Sequence, residues 1–276
     1  MPSSGDVTIL RPSRGWVPLR LAELWASREL LYFLVWRIVK VRYKQTFLGA
    51  VWAVVQPVMT MAVFTLFFGK LARIPSEGIP YALFALTALV PWTYFANGLT
   101  QASNSLVEQE SLLTRVYFPR LLLPLAAVTA GMLDFAIAFL ALLGLMAAYG
   151  NAPGIAILAL PLFVLLAMVT ALGAGVWLSA LNVQYRDVRY VTPFLVQIWL
   201  FITPVAYPGS LVPARWQAVY GLNPMAGAVE GFRWALLGLP QPPARLLAAS
   251  AGTAVVLLIG GLFYFRRMER SFADVV

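Results

Sequence analysis

Neither histidine nor cysteine occurs in this chain, and only 11% of its residues are Asp, Glu, Lys or Arg, against the roughly 25% of an ordinary soluble domain. The first absence excludes disulfides, zinc clusters, thiol nucleophiles and any Ser–His pair, which is most of the side-chain chemistry open to an intramembrane enzyme. It leaves the redox compartment undetermined, because a chain without thiols suits either side of a membrane. Also missing is the phosphate loop G-x-x-x-x-G-K-S/T: Gly69 and Lys70 are followed by Leu71. If the protein works with ATP, a second protein must bring it. No metal site and no cofactor bound by this chain are expected, and no internal repeat of useful length is visible.

The scarcity of charge leaves long apolar stretches. Charge-free windows cover residues 45–69, 79–107, 135–185, 190–214 and 246–265, and a further apolar stretch is broken only by Asp134. A hydrocarbon core about 30 Å thick takes roughly 20 apolar residues per helix. An all-α membrane protein follows, with six transmembrane helices expected at about 47–69, 81–101, 121–149, 155–182, 191–205 and 246–265.

The net charge of +9 is unevenly spread. With the chain starting inside the cell and alternating across six spans, 15 of the 20 Lys and Arg residues fall on the inner side, and the outer side receives Lys70, Arg73, Arg215, Arg233 and Arg245. Such an excess predicts both termini in the cytoplasm. The basic character then faces anionic head groups, and no nucleic-acid partner is expected. Residues 1–20 are polar and Pro-rich, an irregular leader without the apolar core of a cleavable signal.

Residues 1–45 form the cytoplasmic leader and an interface helix, and 46–276 the six-span domain. Over residues 28–44, Arg37, Lys40 and Lys44 share one helical face opposite Leu31, Leu34, Val35 and Ile38, the pattern of an amphipathic helix lying in the inner interface. Arg42 sits off that stripe and either snorkels to head groups or faces a protein or ligand group. Pro57 predicts a kink in the first span. In the second, Thr93, Asn97, Gln101 and Asn104 draw a polar line that must meet another helix or water. Ser105 followed by Glu108 reads as a capping box opening a short cytoplasmic helix at about 106–117, which Pro119 stops. Gly173, Gly175 and Ser179 offer a small packing surface in the fourth span. The outer segment 206–245 holds two apolar stretches too short to cross, expected as short re-entrant helices.

In their order, VKVRYKQTFLGAVWAVVQP (39–57), VPWTYFANGLTQASNSL (90–106), LLTRVYFPRLLLPLA (112–126), YRDVRYV (185–191) and GLNPM (221–225) resemble the membrane subunit of ABC-type polysaccharide exporters, the O-antigen and teichoic acid export permeases. The resemblance covers nearly the whole chain. It implies a homodimer in the bacterial cytoplasmic (inner) membrane, two copies of a separate ATP-binding subunit that holds ATP and Mg, and a lipid-linked glycan moved outward. It makes 106–117 a coupling helix, with Glu108, Glu110 and Arg115 meeting complementary charges of the ATPase and Leu112 and Leu113 anchoring it. It also makes the interface helix part of the substrate entrance, where Arg37, Lys40 and Arg42 would attract the pyrophosphate of a lipid carrier.

Trp52, Trp199, Phe201 and Tyr207 are either belt and packing residues or stacking surfaces for sugar rings along the substrate pathway. Asn97 either bonds another helix or meets sugar hydroxyls. Asp134 is costly at mid-bilayer and is expected to be paired or to face water. A glycan-transferring membrane enzyme would need paired carboxylates or a His base, and a small-molecule efflux permease remains the alternative within the exporter class.

Overall fold

The computed structural model describes residues 21–44, 49–110, 112 and 118–269. Every regular element among them is helical. That is what long apolar sequence demands in lipid, where backbone N–H and C=O groups must be satisfied within the segment itself. The helices are α1 (Leu21–Ala26), α2 (Arg28–Lys44), α3 (Gly49–Phe64, extended by a π-helical turn Thr65–Leu71), α4 (Tyr81–Glu108) and α5 (Leu122–Ala148). They continue as α6 (Leu160–Gln184, after a 3-10 turn Ile155–Ala159), α7 (Val188–Ile202), α8 (Gln217–Tyr220), α9 (Pro224–Leu237) and α10 (Ala244–Met268).

Among the described residues, five stretches are long and apolar enough to cross a bilayer: Val51–Leu71, Tyr81–Glu108, Leu122–Ala148, Ile155–Gln184 and Ala244–Met268. The apolar α7 has 15 residues, about 22 Å of helix. It starts inside the YRDVRY turn and gives way at Thr203, whose hydroxyl donates back to the Trp199 carbonyl. The protein is a multi-pass membrane protein.

Helix α4 is the centre of the fold. It packs on α5 and α6, and 78% of its best apolar window is buried, against 11% for α3. Its core face carries Leu83, Leu86, Val90, Phe95 and Leu99, all nearly inaccessible. Small residues set the close approaches. A Cβ on Gly175 would sit 2.6 Å from the Ala102 Cβ, and one on Gly173 would sit 2.8 Å from the Leu258 backbone N, so α6 meets both α4 and α10 almost backbone to backbone. By contrast α3 and α7 expose apolar faces, among them Trp52, Met59 and Val63 on one and Phe194, Ile198 and Phe201 on the other.

Helix α2 lays Leu30, Leu31, Leu34, Val35 and Ile38 on a second cluster formed by Leu106, Phe118, Leu122 and Phe265. Its polar side meets the end of α4, where Arg37 Nη1 donates to Gln109 Oε1 at 3.2 Å. The expected capping box is absent. Ser105 is buried, its hydroxyl donates to the Ala102 carbonyl at 2.8 Å, and α4 runs unbroken through it to Glu108. A buried Ser inside a continuous helix satisfies itself on the preceding turn, so the S-x-x-E spacing marked no helix start. Of the remaining coupling segment, Glu110 and Leu112 are helical, whereas Leu113 and Arg115 lie outside the described residues.

In the outer segment, Arg233 on α9 is 1% exposed. It donates to the Val205 carbonyl (2.8 Å), the Tyr207 carbonyl (3.2 Å) and Glu230 Oε1 (3.0 Å), and its guanidinium carbon lies 3.6 Å from the Phe84 ring centroid. The loop between α7 and α8 is thereby tied to α9 and α4. Burial raises the Glu230 carboxyl above its ordinary range, opposed by the Arg233 charge and the Gly209 N–H. Helix α9 stops at Gly238, whose φ of +69° is the left-handed cap that glycine adopts without penalty.

Candidate functional site

Between α3, α4 and α5 lies a cavity of about 460 Å³, lined by residues of all three helices and by Arg42. Four-residue spacing puts Thr93, Asn97 and Gln101 of α4 on one wall. Trp52 and Gln56 come from α3, Asp134 and Phe135 from α5, and the Tyr94 ring closes one side. Asn104 leaves the polar line, since it accepts from Asn182 Nδ2 of α6 at 3.0 Å.

At one end of the cavity three chain segments meet around the Arg42 guanidinium. Arg42 forks, Nη1 donating to Asp134 and Nη2 to Gln101, while the Tyr43 hydroxyl donates to the other Asp134 oxygen. Asp134 lies twelve residues into α5, about 18 Å along the helix, where an isolated carboxylate would be expensive. The ion pair and the Tyr43 hydroxyl offset that cost. Burial raises the Tyr43 phenol above its ordinary pKa, and the hydrogen bond to Asp134 and its charge add to this against the Arg42 charge, so Tyr43 stays a neutral donor.

Of the residues singled out from the sequence, Arg42, Trp52 and Asn97 thus share one cavity. Arg37 and Lys40 do not. With Phe33, Trp36, Val41 and Lys44 they line a separate shallow groove of about 340 Å³ along α2. Trp199, Phe201 and Tyr207 are also elsewhere. Trp199 Nε1 donates to Asn223 Oδ1 at 2.7 Å and its ring meets Phe95 edge-on at 4.8 Å. Phe201 is 59% exposed on α7. The Tyr207 hydroxyl is shared with the Tyr220 hydroxyl at 2.8 Å and lies 3.1 Å from the Ile202 carbonyl.

Sequence reasoning missed Tyr43 and Gln101 as partners of the cavity charge, and gave Asn223, within GLNPM, no role of its own. Asn223 caps α9 by accepting from the Met225 N–H (3.1 Å), accepts from Trp199, and donates to the Thr203 hydroxyl (2.9 Å). Its signal was legible as Asn before Pro224, an N-cap followed by Pro at the first helical position. No group of three or more acidic residues that could hold a metal ion is found among the described residues.

Comparison with known proteins points one way. The pattern of the family described as ABC-2 type transporter matches residues 29–237. The O-antigen export system permease protein RfbA of Myxococcus xanthus is 31% identical over 257 residues, 92% of this chain and 98% of that protein. RfbA of Klebsiella pneumoniae is 24% identical over 249 residues, covering 90% and 95%. The inner membrane transport permease YadH of Escherichia coli K12 is 24% identical over 266 residues, covering 88% and 91%. Since that pattern matches well over half of the chain and includes the apolar stretches from Val51 to Gln184, this chain belongs to the ABC-2 type transporter family.

Proposed function

We propose that this chain is the permease subunit of an ATP-driven exporter that moves a lipid-linked polysaccharide of the O-antigen class outward across the inner membrane. The observation that carries the reading is the end-to-end similarity to permeases named for O-antigen export. A cavity lined by polar and aromatic side chains at bilayer depth supports it, since a glycan cannot cross hydrocarbon without such partners.

In this reading ATP and Mg are held by a separate ATP-binding subunit, two copies of which sit under a homodimer of permeases. Both termini lie in the cytoplasm, in keeping with the inside excess of Lys and Arg. The segment that contains Glu108, Glu110, Leu112, Leu113 and Arg115 faces the ATPase, and the groove of Arg37 and Lys40 is the first stop for the carrier's phosphates. The apolar faces left open on α3 and α7 are where the second copy docks, with lipid covering what remains.

The test is deletion of the gene in its host. Surface polysaccharide should vanish and lipid-linked glycan should accumulate on the cytoplasmic side, both reversed by the wild-type chain. Unchanged surface glycan together with raised sensitivity to small toxic compounds would assign the chain to small-molecule efflux instead.

A further inference from the structure

The cavity between α3, α4 and α5 lies within one copy of the chain, whereas a conduit between two copies would run along α3 and α7. We propose that it is a binding site for a single neutral sugar ring, a pyranose. The identification of the sugar with the exported glycan rests on the polysaccharide reading above, and the site itself does not.

The chemistry of the lining selects the ligand. At about 460 Å³ the cavity falls within the roughly 300–1,000 Å³ of small-molecule sites. The side-chain amides of Gln56 and Asn97 and the Thr93 hydroxyl line it and make no side-chain hydrogen bond among the described residues. An acyl chain would leave all three unsatisfied, which lipid surroundings make costly. An ion is equally ill-suited, because the two charges present, Arg42 and Asp134, are already bonded to each other and sum to zero. What fits unpaired donors and acceptors without net charge is a neutral polyhydroxylated molecule. Trp52 adds open aromatic surface, against which the C–H face of a pyranose packs.

The chain's lack of cysteine makes the test clean. Ala53→Cys and Ala138→Cys each place a thiol on the cavity wall without touching its polar groups. In the full chain with its ATPase subunit, in lipid nanodiscs, a small water-soluble methanethiosulfonate should modify both, and Leu140→Cys on the lipid-facing side of α5 should react slowly. Methyl pyranosides of glucose, galactose, mannose and rhamnose are then added. At about ten times its Kd, the preferred sugar should slow modification about tenfold at both cavity positions. Asn97→Leu should abolish that protection. In membranes from cells that make the glycan, the same thiols should be protected relative to cells that do not. Protection by free sugar alone means that the site is filled from the soluble pool, and protection by the glycan means that it is filled by cargo. Either outcome supports the site. Absence of protection in both arms, or thiols that never react, overturns it. The export reading is left standing or falling on the gene deletion alone.

Discussion

Arg42 and Asp134, 92 residues apart in sequence, form an ion pair that joins the interface helix to the third span, with Gln101 of the second span on the same guanidinium. The pair does two jobs at once. It satisfies a carboxylate deep in a transmembrane helix, and it holds the end of α2 against the cavity.

Its worth lies between two limits. Removing one partner of a buried pair costs about 3–5 kcal/mol, and an exposed pair contributes about 0–1 kcal/mol. Side-chain exposures of 28% and 22% place this pair between them, so Asp134→Ala is expected to destabilise the solubilised protein by roughly 1–3 kcal/mol. Asp134→Asn, which keeps an acceptor for Tyr43, should cost less. The double variant Arg42→Gln, Asp134→Asn should lose less than the sum of its single changes. Denaturation of the four proteins measures the coupling, and strict additivity would show that the pair contributes nothing.

Asn223 makes a sharper ranking possible. Asn223→Ala removes a helix cap, typically about 0.5–2 kcal/mol, along with the acceptor for Trp199 and the donor to Thr203. Asn223→Asp keeps the acceptor for Trp199 and Met225 and loses the bond to Thr203. Thermal stability should therefore rank wild type above Asp above Ala. Equal losses for Asp and Ala would mean that the Thr203 bond alone matters.

How much of this was legible in the sequence divides along one line. Charge-free length is a local property, so the all-helical membrane architecture and the helix over Arg28–Lys44 could be read directly. Local patterns that depend on burial misled: the S-x-x-E at Ser105 sits inside a continuous helix because Ser105 is buried against α4's neighbours and bonds to its own preceding turn. Asp134 could be read as needing a partner, but nothing in the chain's periodicity says that Arg42 and Tyr43 supply it. The aromatic residues could not be sorted from the sequence for the same reason. Trp52 meets the cavity and Trp199 is committed to Asn223, a difference set by which helices pack together.

The segment after α4 should carry force from the ATPase. Leu112 is helical and packs on the cluster beneath α2. Leu112→Pro costs about 3 kcal/mol in a helix interior and is expected to abolish export while the spans remain inserted and the ATPase subunit still binds ATP. Full export with normal ATP turnover would remove this segment from the coupling route.

The groove on α2 can be tested without disturbing the ion pair. Arg37→Gln with Lys40→Gln leaves Arg42 and Asp134 intact, so a loss of export there is a loss of charge along the groove and not of cavity architecture. Export should fall and the internal pool of lipid-linked glycan should rise, with unchanged protein level in the membrane. Arg37→Gln alone also breaks the bond to Gln109, so Lys40→Gln alone is the comparison that separates charge from packing. If the double variant exports normally, α2 serves as an anchor.

The last expectation concerns the second copy. Helices α3 and α7 are the least covered of the apolar helices, and a face of Met59 (60% exposed), Val63 and Leu66 on one has its counterpart in Phe194, Ile198 (41% exposed) and Ile202 on the other. Met59 and Ile198 each lie ten residues from the N-terminal ends of their helices, about 15 Å at 1.5 Å per residue, which puts them at matching depth in the proposed topology. In a chain without native thiols, Met59→Cys combined with Ile198→Cys should be joined between copies by oxidation or a short thiol linker and run as a dimer on a denaturing gel. The Cα atoms must come within about 7 Å for a direct disulfide, so the linker series reads the gap as well as the contact. Leu140→Cys on α5 and Leu165→Cys on α6 are as exposed as these positions but lie on helices outside the proposed dimer face, and should stay monomeric. Cross-linking through Leu165→Cys, with α3 and α7 unreactive, would move the dimer face to α6 and take the conduit with it.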